Sequence, residues 1–283
     1  MISTTARAKV NLYLHVTGKR PDGYHLLESL VVFPNGGDKI TVVRDRDLRL
    51  DITGPFSKTI GNTDENLILK AAHLLREEGG VDQGARITLV KNLPVSAGIG
   101  GGSADAAASL KLLNQLWKIG FSDFELSDLG LRLGADVPVC LLGKSAIMSG
   151  IGEQLEEVGK IPKIVIILVN SGIVMSTFDV FRRLEIQEKT SSQVWTSGAS
   201  APEFCEALAA AGNDLQAPAI EMAPEIETVL SEIEGQEGCR LARMSGSGAT
   251  CFGIFETELA AQRAAQGIQS HHFDWWVQAM TIG

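Results

Sequence analysis

Pro94-Val-Ser-Ala-Gly-Ile-Gly-Gly-Gly-Ser103 sets Gly98, Gly100, Gly101 and Gly102 between an apolar stretch with strand character at 85–91 and a helix-favouring stretch at 104–117. Residues without Cβ atoms let successive backbone N–H groups point into one cavity at the positive end of the following helix. A plain strand-to-helix turn rarely needs so many glycines, and the guest such a cradle suits is a phosphate chain. Ser103 reads as the N-cap of the helix, Asp105 as an acid complementing its dipole, and Ala107, Leu110, Leu113 and Trp117 as its apolar face.

Upstream, residues 8–16 alternate cleanly. Ala8, Val10, Leu12, Leu14 and Val16 fall on one side and Lys9, Asn11, Tyr13 and His15 on the other, the pattern of a half-buried strand. Residues 39–53 read as a hairpin turning at 45–47, and residues 65–78 as a helix ending at Gly79-Gly80. Downstream, Ser122-x-x-Glu125 is a capping box that opens a helix running to Gly134, which leaves Asp136 in a loop. The glycine-rich, charged stretch 150–162 suggests a domain boundary, drawn at 155/156. Beyond it come a buried strand at 164–169, helices at 177–185, 203–211 and 219–234, strands at 239–244, 250–256 and 273–280, and a helix at 257–268. The Ser/Thr-rich stretch 190–200 reads as a loop. The whole is an α+β chain of two domains.

Composition narrows the function classes. The 283 residues are 45% hydrophobic and contain no apolar run long enough to span a membrane, so a folded cytoplasmic protein is expected. A net charge of -9 argues against general affinity for nucleic acid. Within residues 1–25, however, Arg7, Lys9, Lys19 and Arg20 face the single acid Asp22, a basic island suited to a small polyanion. Cys140, Cys205, Cys239 and Cys251 show no metal or disulfide spacing and read as buried thiols.

Familiar phosphate loops fail on particular residues. A P-loop would need glycine where Pro138 precedes Gly143-Lys144-Ser145, and the dinucleotide fingerprint fails because Ser103 stands after Gly102. The pattern P-x-x-x-G-[IL]-G-[GS]-G-S-A, with the strand at 8–16 and Met244-Ser-Gly-Ser-Gly-Ala249 in the same order, resembles the GHMP kinases. That resemblance spans nearly the whole chain. It implies an N-terminal ATP-binding α/β domain (1–155), a C-terminal ferredoxin-like domain (156–283), and ATP with Mg²⁺ as co-substrate. Ala8-Lys-Val-Asn-Leu-Tyr-Leu-His-Val-Thr-Gly-Lys-Arg-Pro-Asp-Gly-Tyr-His25 and Leu133-Gly-Ala-Asp-Val-Pro-Val139 are similar to the branch acting on an alcohol linked to cytidine diphosphate.

By that resemblance Lys9 and Asp136 take the catalytic positions. A fixed ammonium suits charge compensation in phosphoryl transfer, while Asp136 either accepts the hydroxyl proton or orients the hydroxyl. Asn11 becomes a substrate contact, and Tyr24 and His25 take the base-recognition positions, with Phe181 as an opposite wall or a core residue. Pro94, Val95, Ser96, Ala97, Gly98, Ile99, Gly100, Gly101, Gly102, Ser103 and Ala104 form the ATP loop. Asn66 and Lys91 match nucleotide positions, though helix capping and solvent exposure explain them equally well. The family loop commonly ends Ser-Ser; Ala104 removes the second hydroxyl and leaves Ser103 as the side chain for a metal. A kinase of another small alcohol and a non-catalytic nucleotide-binding regulator are the competing readings.

Overall fold

The computed structural model describes residues 1–61, 65–185 and 198–283, which pack into two compact units. The first comprises Met1–Lys9, Gly36–Val95 and Gly100–Lys144, the second Val10–Asn35, Ser96–Ile99 and Ser145–Gly283. The glycine loop thus belongs partly to each. Residues 155 and 156 lie within a strand of the second unit.

The first unit is a four-stranded sheet covered by helices. Its strands β1 (Ile2–Arg7), β5 (Gly37–Asp45), β6 (Leu48–Thr53) and β7 (Gly84–Val90) stand in the order β1-β5-β7-β6. The hairpin expected at 39–53 does not form. β7 inserts between β5 and β6, antiparallel to β5 and parallel to β6. A parallel pair needs a crossover connection, and α1 (Leu67–Glu78) supplies it between β6 and β7. Gly84 makes the insertion sterically feasible, since a Cβ there would stand 2.5 Å from the Asp47 carbonyl carbon. Ala85, Ile87 and Leu89 of β7 are fully buried with Ile40 and Val42 of β5, and α2 (Gly101–Trp117) packs its alanines and leucines on the same core. Deep burial of a central strand outweighs the local turn signal at 45–47.

Helix α2 begins at Gly101 rather than after Ser103. Gly100, in the left-handed region at φ 62°, is the N-cap, and Ser103 sits inside the first turn. Asp105 is not a solvated first-turn acid either; its side chain is buried. The capping box on α3 (Asp123–Leu133) forms as expected, with Ser122 Oγ accepting from Glu125 N–H and Glu125 Oε2 accepting from Ser122 N–H. A short helix α4 (Val137–Leu142) follows, so Asp136 stands at a helix N-cap.

In the second unit, β10 (Ile164–Asn170), β11 (Cys239–Met244), β12 (Cys251–Phe255) and β13 (Trp276–Ile282) form an antiparallel sheet ordered β11-β12-β10-β13. With α5 (Thr177–Arg183), α6 (Ala201–Ala211), α7 (Gln216–Met222) and α8 (Glu225–Glu234) between β10 and β11, and α9 (Glu258–His271) between β12 and β13, this is the β-α-β-β-α-β ferredoxin-like arrangement. The single helix expected at 219–234 is two, divided at Ala223-Pro224 because proline disfavours helical backbone before it. β8 (Ala146–Ser149) and β9 (Gln154–Glu157) pair as a hairpin that runs into the stretch 150–162 where a domain boundary was expected. The expected loop at 190–200 lies mostly outside the described residues.

The alternating stretch 8–16 is not one half-buried strand. β2 (Val10–Asn11) and β3 (His15–Lys19) both pair with β4 (His25–Val32), and every residue from Ala8 to Val16 is buried. The polar face tolerates burial because it is partnered. Asn11 Nδ2 donates to Ser29 Oγ, Tyr13 Oη to Glu28 Oε1, and a His15 ring nitrogen lies 2.7 Å from the Ala211 carbonyl oxygen. Of the four cysteines only Cys251 is fully buried. Among the described residues no helix is long and apolar enough to cross a membrane.

Candidate active site

In the first unit, Lys9 Nζ meets Asp136 Oδ1 at 2.8 Å. The Lys9 side chain is 6% exposed and that of Asp136 38%, so the ammonium is fixed in the protein while the carboxylate still faces solvent. Asp136 is held from behind. The C-terminal end of α4 is clamped by Arg7, whose Nη2 donates to the Gly143 carbonyl at 2.5 Å, and by Lys111, which donates to the Leu141 carbonyl. Cations at a helix C-terminus satisfy its orphan carbonyls and its dipole. Arg7 is two residues from Lys9 along the chain and Lys111 is on α2, so the segment bearing Lys9 and the helix after the glycine loop both hold the helix that Asp136 caps.

The cradle itself is the start of α2. The N–H groups of Gly101, Gly102 and Ser103 have no carbonyl one turn earlier within the helix, and Gly100 brings the chain close to Lys9, a Cβ there lying 3.1 Å from Lys9 Cβ. Beneath Gly101 lies a buried ion cluster that the sequence did not reveal. Lys91 Nζ sits 2.5 Å from Asp38 Oδ2 and 2.7 Å from Asp105 Oδ2, and Asp38 Oδ1 also accepts from Asn92 and Leu93 N–H. Burial opposes the Lys91 charge, but Asp105 and Asp38 outweigh it and hold the ammonium above its usual range. One ammonium cannot fully satisfy two buried carboxylates. Burial, aided by Asp38 and opposed by Lys91, pushes Asp105 up to about 8. The Lys91 side chain is thus buried and paired rather than solvent-exposed. Asn66 caps α1, its Oδ1 accepting from Ile68 N–H at 2.9 Å.

In the second unit, residues 96–99 of the glycine loop lie on the Met244-Ser-Gly-Ser-Gly-Ala249 motif. Ser245 Oγ donates to the Gly98 carbonyl at 3.2 Å, and Thr250 N–H donates to the Ala97 carbonyl. Gly98, at φ 72°, has no alternative: a Cβ would fall 2.6 Å from the carbonyl oxygens of both Ser245 and Gly248. Asn11 joins this arrangement through its backbone N–H, 3.1 Å from Ser245 Oγ.

The second unit brings two of the three expected aromatic residues together. The ring that stacks on Phe181 is His25, with centroids 4.9 Å apart and planes at 26°, while Tyr24 stands 61% exposed. Burial first, then the Lys19 charge, lowers the His25 pKa and favours a neutral ring. Thr177, at the first position of the helix bearing Phe181, hydrogen-bonds Ser247 of the glycine motif at 2.8 Å. That link carries no sequence signal, because it joins residues 70 positions apart.

Comparison with known proteins gives the family. The family profile of the GHMP kinases N terminal domain matches residues 66–144, and that of the GHMP kinases C terminal region matches 199–274. The chain is 46% identical over 285 residues to a 4-diphosphocytidyl-2-C-methyl-D-erythritol kinase of Parvibaculum lavamentivorans, covering 100% of this chain and 98% of that one. It is 48% identical over 280 residues to the protein of the same name from Cereibacter sphaeroides, covering 98% of each. A crystal structure of 4-(cytidine 5'-diphospho)-2C-methyl-D-erythritol kinase superposes with a TM-score of 0.81 at 34% identity, covering 100% of this chain and 99% of that one. The chain belongs to the 4-diphosphocytidyl-2-C-methyl-D-erythritol kinases of the GHMP kinase family.

Proposed function

We propose that the protein transfers the terminal phosphate of ATP to the 2-hydroxyl of 4-diphosphocytidyl-2-C-methyl-D-erythritol, a step in non-mevalonate isoprenoid precursor synthesis, in the cytoplasm. The observation that carries the reading is the Lys9–Asp136 pair, a buried ammonium on a solvent-facing carboxylate. Phosphoryl transfer depends on placement and charge compensation more than on covalent chemistry. Asp136 orients the acceptor hydroxyl and takes its proton; Lys9 holds Asp136 in place and offsets charge on the migrating group. The backbone from Ser96 to Ala104 carries the ATP phosphates, with Asn66 at the nucleotide end and Lys91 supporting the loop from below. Asn11, Tyr24, His25 and Phe181 receive the acceptor, its pyrimidine against the rings. Residues 1–155 serve as the ATP-binding domain and 156–283 as its C-terminal partner.

Among the described residues no group of three His, Cys, Asp or Glu could enclose a metal ion. Mg²⁺ carried by the phosphates of ATP keeps its waters and needs few protein ligands. Ser103, in the first turn of α2, would face it; bound there, the ion supplies charge neutralisation to the phosphates.

The test is ADP release by the purified protein with 4-diphosphocytidyl-2-C-methyl-D-erythritol against mevalonate, homoserine and galactose. Turnover with the first alone is expected, and turnover only with another alcohol overturns the assignment. Tyr24→Ala should raise KM for the cytidine-linked substrate by about tenfold through loss of base stacking. An unchanged KM would leave Tyr24 outside the site.

A further inference from the structure

Asn11 is 3% exposed, yet its Oδ1 has no hydrogen-bond partner among the described residues. A buried, unpaired acceptor is costly and rare unless something supplies a donor. Its direction is fixed by its neighbours. The Ser29 hydroxyl has one proton and donates it to the Tyr13 carbonyl at 2.5 Å. Towards Asn11, 2.7 Å away, Ser29 Oγ therefore accepts, which puts the Asn11 amide nitrogen against Ser29 and turns Oδ1 the other way. Turned over, two acceptors would face each other. On the Oδ1 side stands Gly246, where a Cβ would lie 3.2 Å from the oxygen, so no side chain of that residue covers it.

The backbone of Asn11 is fixed as firmly. Its N–H donates to Ser245 Oγ, and the same hydroxyl passes its own proton to the Gly98 carbonyl of the glycine loop. Ser29 and Ser245 are both fully buried. Both are shielded from solvent, and each hydroxyl accepts a hydrogen bond from Asn11.

We propose that Ser29 and Ser245 are positioning residues that present Asn11 Oδ1 as a hydrogen-bond acceptor for one hydroxyl of the acceptor alcohol, with Ser245 tying that presentation to the glycine loop. The inference rests on the proposed function and deepens it by naming what the Asn11 contact is and what aims it. A hydroxyl donor is specified, because Oδ1 can only accept. Ser29 sets the rotamer of the amide, while Ser245 sets the backbone it hangs from and its register with Gly98.

The experiment uses the full-length protein and a set of acceptor analogues, each lacking one hydroxyl, as competitive inhibitors of the wild type and of Ser29→Ala and Ser245→Ala. With wild type, one deoxy analogue should bind about tenfold more weakly than the parent alcohol. With Ser29→Ala, that difference should shrink to near unity, KM for the acceptor should rise about tenfold and KM for ATP should stay unchanged. Ser245→Ala should raise both KM values, because its hydroxyl contacts both segments. Melting temperature and ATP binding of each variant verify folding. The proposal is overturned if no deoxy analogue loses affinity for wild type, if Ser29→Ala discriminates as wild type does, or if Ser29→Ala raises both KM values equally. A wild type that phosphorylates none of these alcohols removes the proposed function itself, an outcome distinct from active wild type with unaltered discrimination.

Discussion

Lys9 and Lys91 lie in the same unit, are 5% and 3% exposed, and each meets an aspartate at under 3 Å. Lys9 has a single partner, Asp136, that keeps 38% of its side chain in solvent; Lys91 has two, Asp38 and Asp105, at 0% and 5%. The first arrangement leaves a carboxylate able to meet an incoming hydroxyl. The second closes all three groups within the core below Gly101. The difference teaches that a buried lysine–aspartate pair is not itself a catalytic sign; what separates the two is whether one partner remains accessible.

Removing each lysine should break the molecule in different ways. Lys91→Met removes the buried cation from the Asp38 carboxylate and should lower stability by about 3–5 kcal/mol at neutral pH, read from urea denaturation. Unchanged stability would mean the cluster is not charged as described. Lys9→Ala and Asp136→Asn should each cut turnover about a hundredfold or more, while ATP binding measured by calorimetry stays largely intact. If both keep wild-type turnover, the accessible pair is not the reacting one.

The buried cluster should also show itself against pH. With Asp105 raised to about 8 by burial, the native state holds a proton there that the unfolded chain releases near its ordinary carboxylate value. Between these two values the native state binds more protons, so this group lowers stability progressively as pH rises and no further above about 8. Asp105→Asn cannot titrate. Its stability relative to wild type should therefore increase from about pH 4 to about pH 8 and then level off. A pH-independent difference would contradict the raised value. At the small end stands Arg132–Glu78, a surface pair of 2.6 Å whose side chains are 52% and 42% exposed. Arg132→Ala should change stability by less than about 1 kcal/mol and turnover not at all.

Much of this was legible in the sequence because it is local. The capping box at Ser122 and Glu125, the helix that follows the glycine loop and the strand at 164–169 are each encoded within a few residues. So was the order of motifs bearing Lys9, the loop and Asp136. What sequence could not show depends on long-range pairing. The turn at 45–47 looks like a hairpin until β7 arrives from forty residues away to separate its arms. Lys91 looks like a solvent-exposed lysine until Asp38 and Asp105 close over it. The alternation at 8–16 suggests a wet face until Ser29, Glu28 and Ala211 supply partners for it. The stacking of His25 on Phe181 likewise follows from side-chain packing between segments 156 residues apart.

The most direct test is ³¹P NMR of the purified protein with ATP, Mg²⁺ and 4-diphosphocytidyl-2-C-methyl-D-erythritol, run in parallel for wild type and Asp136→Asn. The account predicts a new phosphomonoester resonance growing in step with ADP for wild type, and none on the same time scale for the variant although it still binds ATP. A wild type that binds ATP and forms no phosphomonoester, or a variant that forms it at the wild-type rate, would contradict it.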